Sequence, residues 1–139
     1  ALVEDRFAAF ADHIKAAIRG AEDDPVERLR RGHAAYLSFA LEHAGHYRLL
    51  FGGDHIDPAR GELSDRALGV GLPAFELLVD GCRALVDAGL IGEVDPWRLA
   101  GAMWAFQHGY VELARTMRGS ILPGPVEALD TFLAAMMRA

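Results

Sequence analysis

Two aspartate–proline steps, Asp24-Pro25 and Asp95-Pro96, set the class of fold open to this chain. An aspartate carboxylate accepts the orphan N–H groups of a first helical turn, and proline fits that turn because its missing N–H would have no partner there. Each step leads into apolar residues at helical spacing. After the first come Val26, Leu29, His33, Tyr36, Leu37, Ala40 and Leu41, predicting a helix to about residue 43; after the second the pattern runs to Arg118. Upstream, Phe7, Phe10, Ala11, Ile14, Ala17 and Ile18 share one side of a helix over 3–19, with Asp5, Arg6, Asp12 and Lys15 on the other, and Gly20 ends it. From Pro73 onward Phe75, Leu78, Val79, Cys82, Leu85 and Val86 form a further stripe, stopped by Gly89. Pro123 and Pro125 open a last helix carrying Val126, Leu129, Phe132, Leu133, Met136 and Met137.

Between these stripes, His46 to Phe51 reads as a short apolar helical turn and residues 52–60 as a loop, while glycines at 61, 69 and 71 leave the stretch before Pro73 without a clear pattern. No segment alternates with period two, so strands are not needed. The expected class is all-α: one domain over residues 1–139, a bundle of about six helices.

Composition narrows what such a bundle can do. A chain of 139 residues buries roughly two-thirds of its unfolded surface without staples. The lone cysteine, Cys82, has no internal disulfide partner, which suits a reducing cytoplasm; set in an apolar stripe it reads as a structural thiol rather than a nucleophile. Fourteen basic against twenty acidic side chains give a net charge of −6, so these residues should repel nucleic acid. No apolar run approaches the ~18 residues of a membrane span. With 52% hydrophobic residues, the surplus must serve a core, a pocket or a partner. The first residues carry neither a signal peptide nor an initiator methionine, and amphipathic helix begins almost at once, so the chain is expected to start partway through a longer polypeptide.

The helix 96–118 carries most of the functional reading. At about 100° per residue, Trp97, Gly101, Trp104, His108 and Val111 fall within one sector, and Leu99, Met103, Phe106, Tyr110, Leu113 and Met117 fall nearly opposite. A helix apolar on two opposed faces either lies inside the core or gives one face to another subunit. Two helices from each of two subunits would make a four-helix interface, and the final helix with its paired methionines offers the second element.

The string Ala102-Met-Trp-Ala-Phe-Gln-His-Gly-Tyr-Val-Glu-Leu113 resembles the Trp-x-x-x-His-Gly signature of the C-terminal domain of some regulators of the tetracycline-repressor (TetR) family, with Trp104, His108 and Gly109 as matching positions. His46-Tyr-Arg-Leu-Leu-Phe51 resembles that family's Tyr-Arg-Leu-Met-Phe segment, although the family often has proline near Gly45-His46. Ala88-Gly-Leu-Ile-Gly-Glu-Val-Asp-Pro96 resembles its Ala-Gly-x-Leu lead into the penultimate helix. The likeness runs over roughly residues 25 to 138. It implies the ligand-binding and dimerising body of a transcription regulator, a repressor, that normally follows a helix-turn-helix head; the residues here contain no such head, and the helix 1–20 would be the connection to it. It also implies homodimers built on the last two helices.

On that reading a small, largely apolar effector enters between the helices 26–43, 73–88 and 96–118, with Tyr36, Phe39, Phe51, Phe75, Leu78, Trp104, Phe106, Gln107 and His108 as candidate contacts. Its binding would favour one tilt of the connecting helix. Met103, Tyr110, Leu113, Met117, Leu129, Phe132, Leu133 and Met136 are the candidate interface with a second copy. Operator DNA would be reached only through the head. Each candidate also has a plain structural reading: Trp104 and His108 as core residues, Gly109 as a point of close helix packing, and Gln107 as a buried amide that needs a partner across the interface or on a ligand. Enzymatic alternatives have little to stand on, and no catalytic residue, metal or cofactor is expected. There is no Glu-x-x-His pair on two helices, no Gly-rich phosphate loop, no nucleophile elbow and no paired cysteine motif. His43, His46 and His55 read as loop histidines rather than a zinc site. A helical dimerisation module without a ligand is the remaining alternative, ahead of a helical-bundle enzyme.

Overall fold

A computed structural model describes residues 2–45, 56–57, 62–63, 65–117 and 121–137. Among these are five helices, α1 (Leu2–Ile18), α2 (Pro25–Glu42), α3 (Asp65–Asp87), α4 (Pro96–Thr116) and α5 (Pro125–Met136). A two-residue antiparallel pairing, β1 (Ile56–Asp57) with β2 (Glu62–Leu63), matches Ile56 to Leu63; β1 falls where the sequence reads as loop and β2 in the stretch without a clear pattern, so the expectation that no strand is needed gives way at this short pairing. The fold is all-α as expected. Both aspartate–proline steps start helices: Asp24 Oδ1 accepts from the Glu27 N–H at 3.1 Å, and Asp95 Oδ1 from the Trp97 N–H at 3.0 Å. The predicted turn at 46–51 lies outside the described residues.

One boundary differs by a full two turns. Helix α3 begins at Asp65 rather than Pro73, so proline sits inside it. Pro73 has no N–H for the carbonyl of residue 69, a loss the sequence pattern read as a start. The helix ends as foreseen. Gly89, at φ +70°, takes the left-handed conformation that closes it, with Gly89 N–H on the Val86 carbonyl at 3.0 Å and Leu90 N–H on the Leu85 carbonyl at 3.2 Å.

Helix α2 is the hub, packed against α1, α3, α4 and α5, while α3 also meets α1 and α4. Its buried Leu29, His33, Ala35, Tyr36, Leu37, Phe39 and Ala40 cover more than half of its circumference, which a helix with neighbours on several sides requires. The buried side chains form two layers. One joins Phe10 and Ala11 of α1 to Tyr36, Leu37, Phe39, Tyr110 and Val111; the other joins Leu29 to Val79, Cys82, Leu85, Leu99, Met103, Leu129 and Leu133. Among the described residues no helix is long and apolar enough to cross a membrane.

Two contacts fix how α1 meets α2. Gly20, at φ +89°, reverses the chain, and the Arg31 guanidinium donates to the Arg19 carbonyl at 3.1 Å, satisfying an open end of α1. Farther back, the Phe10 ring meets Tyr36 edge-on at 5.5 Å and Phe39 at 5.0 Å.

Candidate functional site

The arc of α4 that the domain buries takes Leu99, Met103 and Tyr110 from the second expected face and Val111 from the edge of the first, and centres on Ala100 and Gln107 between them. Leu99, Ala100, Met103, Gln107, Tyr110 and Val111 are buried and span about 120° of the helix. Trp97, Trp104 and His108 flank this arc on one side. Phe106 and Leu113 flank it on the other, with Trp97 and Leu113 exposed and Trp104, Phe106 and His108 half-buried.

At the centre of the arc, Gln107 is 3% exposed and finds its partner within the same chain. Its Nε2 lies 3.2 Å from His33 Nδ1, and His33 Nε2 lies 3.0 Å from the Pro125 carbonyl oxygen. A carbonyl only accepts, so His33 carries its proton on Nε2 and Nδ1 accepts from the Gln107 amide. Burial holds the imidazole below its ordinary range, with the Pro125 carbonyl and the Asp130 charge opposing. The ring lies flat against Phe106, centroids 5.8 Å apart, and Phe106 in turn stacks on Phe132 at 5.1 Å. Nearby, the Tyr110 hydroxyl donates to the Pro123 carbonyl at 2.7 Å, and burial keeps that phenol protonated by raising its pKa. Outside the core, Arg30 clasps Asp130 with Nε–Oδ1 at 2.9 Å, a partly exposed pair that adds direction more than stability.

The candidate effector contacts divide into three places. Tyr36 and Phe39 are buried around Phe10 in the α1–α2 layer. Phe75 of α3 meets Trp97 at 5.8 Å and Trp104 at 6.3 Å on the α3–α4 seam, with Leu78 half-buried on the same helix. Phe106 and Gln107 belong to the His33 junction, and Phe51 lies outside the described residues. An apolar groove of about 500 Å³ opens elsewhere, between α2 and the start of α5, lined in part by Leu37, Ser38, Leu41, Pro125 and Val126.

The candidate interface divides as sharply. Met103, Tyr110, Leu129 and Leu133 are buried within their own chain, and Phe132 and Met136 are half-buried against the second layer. Leu113 at 45% and Met117 at 41% exposure are the members that face outward. An added Cβ at Gly109 would meet nothing within 4 Å among the described residues. The sequence reading placed His33 and Trp97 on helical stripes but named neither as a candidate contact. The signal for His33 was available: it is the one polar side chain on the buried stripe of α2, as Gln107 is on α4, and two isolated buried polar groups require each other. Of the loop histidines, His43 contacts the Phe39 ring at 5.3 Å, and His46 and His55 lie outside the described residues.

A family model described as tetracyclin repressor-like, C-terminal domain, matches residues 29–139. A solved structure of a protein with unknown function from Rhodococcus sp. RHA1 superposes with a TM-score of 0.83 at 28% identity, covering 99% of this chain and 71% of that one. No curated protein matches the sequence.

Proposed function

Because the chain belongs to the tetracyclin repressor-like C-terminal domain family, we propose that it is the effector-sensing and self-associating body of a transcriptional repressor, working with a helix-turn-helix head. The observation that carries the reading is the partition of α4: its inner arc is fully used by the domain, yet Trp97, Leu113 and Met117 remain exposed on the outside. Apolar surface left over after the core is complete is what a partner or a ligand takes up. In this reading Leu113 and Met117, with the edges of Phe132 and Met136, meet a second copy. Trp104 and Phe75, on the α3–α4 seam, border the entry of a small apolar effector. Helix α1 is the connection through which effector binding changes the spacing of paired heads, which must sit about 34–36 Å apart to occupy successive major grooves. A coupling of about 1–3 kcal/mol suffices for a useful response.

Two measurements test this. Sedimentation equilibrium should show dimers, weakened by Leu113→Asp. A half-exposed leucine contributes about 1 kcal/mol on burial, and a two-fold interface repeats the contact, so the dissociation constant should rise about thirtyfold. A panel of planar apolar compounds should contain at least one that raises the melting temperature and changes operator affinity in the head-bearing protein. A monomer at all concentrations, together with no response to any compound, removes the proposal. Dimers without any such response would leave the ligand-free dimerisation module, which the close packing of Tyr36, Phe39 and Gln107 against their own chain favours.

A further inference from the structure

The junction of His33, Gln107 and Pro125 joins three helices through one imidazole that is 1% exposed. We propose that it is a proton-sensitive latch: neutral His33 clamps the start of α5 to α2 and α4, and a proton added at Nδ1 loosens it. The geometry leaves one place for that proton. Nε2–H is committed to the Pro125 carbonyl, so an incoming proton must go to Nδ1, where the Gln107 amide now donates. Two donors would then face each other. Either the hydrogen bond is lost, or the amide turns over to present Oε1, and in both cases a cation stands in the core.

The surrounding charges do not rescue it. On α5 the charge acting on the ring is Asp130, which already holds Arg30 of α2 through Nε at 2.9 Å and Nη2 at 3.3 Å, and Arg30 also binds Glu27 at 3.1 Å. From α4 the neighbours are Gln107 and Phe106, neither ionisable. From α3, Val79 and Cys82 belong to the layer against which Phe106 packs, and burial pushes the Cys82 thiol up to about 11 and so keeps it neutral. The face of Phe106 favours an imidazolium to some extent, but burial acts in the other direction and is the larger influence on the ring. Since folding lowers the affinity of His33 for its proton, the unfolded chain takes up the proton first as pH falls through the ordinary 6.5. Stability is therefore complete above that value and declines below it, until the folded ring is itself protonated. The latch operates whether or not the domain takes an effector.

The test is a ring-nitrogen NMR titration of the native chain from pH 7.5 to 5, beside melting curves of native protein and His33→Gln over the same range. The expected spectrum shows His33 as the Nε2–H tautomer at neutral pH, with a midpoint below 6.5. Native protein should lose roughly 2–4 °C more on acidification than the variant, which keeps a donor for Pro125 but cannot take up a proton in this range. Gln107→Glu, which places a carboxylate against Nδ1, should move the His33 midpoint upward. A His33 that titrates at or above its ordinary value, an Nδ1–H tautomer, or parallel melting profiles would overturn the latch. The titration needs no variant, so a variant that does not fold leaves the test intact.

Discussion

Replacing Met103 with alanine removes Cγ, Sδ and Cε from the layer where α3, α4 and α5 meet, at a side chain that is 0% exposed. At about 0.8 kcal/mol for each buried methylene-sized group, the lost transfer free energy is about 2.4 kcal/mol. Leu99, Leu129 and Leu133 belong to the same layer on two different helices and collapse only partly into the gap, so a cavity contribution of about 24 cal/mol per Å³ adds to it. The expected loss is about 3–4 kcal/mol, a large share of the roughly 5–15 kcal/mol that such a domain has in total. It should appear in urea unfolding as a lower midpoint at unchanged slope, and in melting as a fall of about 12–16 °C. Because Met103 faces its own chain, sedimentation should show association unaltered at temperatures where the variant is folded. A loss below about 1 kcal/mol, or a variant that folds normally but no longer self-associates, would refute the placement of Met103 in the core.

Two further outcomes follow from the capping and the thiol. Asp24→Ala removes the acceptor for the Glu27 N–H and should cost about 1 kcal/mol in urea unfolding, with Asp95→Ala costing a similar amount through Trp97; an unchanged midpoint in either would show that the cap is dispensable. Cys82, fully buried and with its pKa pushed up to about 11, should resist a thiol reagent at neutral pH and react in step with loss of helicity in denaturant; labelling of the folded chain would contradict its burial.

What the sequence made legible were features with a local cause. Asp24-Pro25, Asp95-Pro96 and Gly89 act through the backbone of their own turn, and each stands where its chemistry placed it. The start of α3 did not, because a proline inside a helix and a proline at its start look alike until the residues before it are placed. Helical periodicity showed that α4 has more apolar surface than one stripe needs, but not which arc the domain would take. That choice depends on α2 lying across it with Leu29, His33 and Tyr36, a long-range fact. The same holds for the candidate site. Gln107 was marked as needing a partner, yet the partner is 74 positions away in sequence, beyond anything a local pattern reports.

The elbow between α1 and α2 bears on how any motion could pass through the domain. With Arg31 gripping the Arg19 carbonyl just past α1 and Phe10 wedged against Tyr36 and Phe39, the first helix is not a free arm on a glycine hinge. To swing it, the guanidinium must let go and an aromatic ring must leave the interior. A pull at its outer end and a rearrangement among the central side chains are therefore two views of one event, and neither can proceed far without the other.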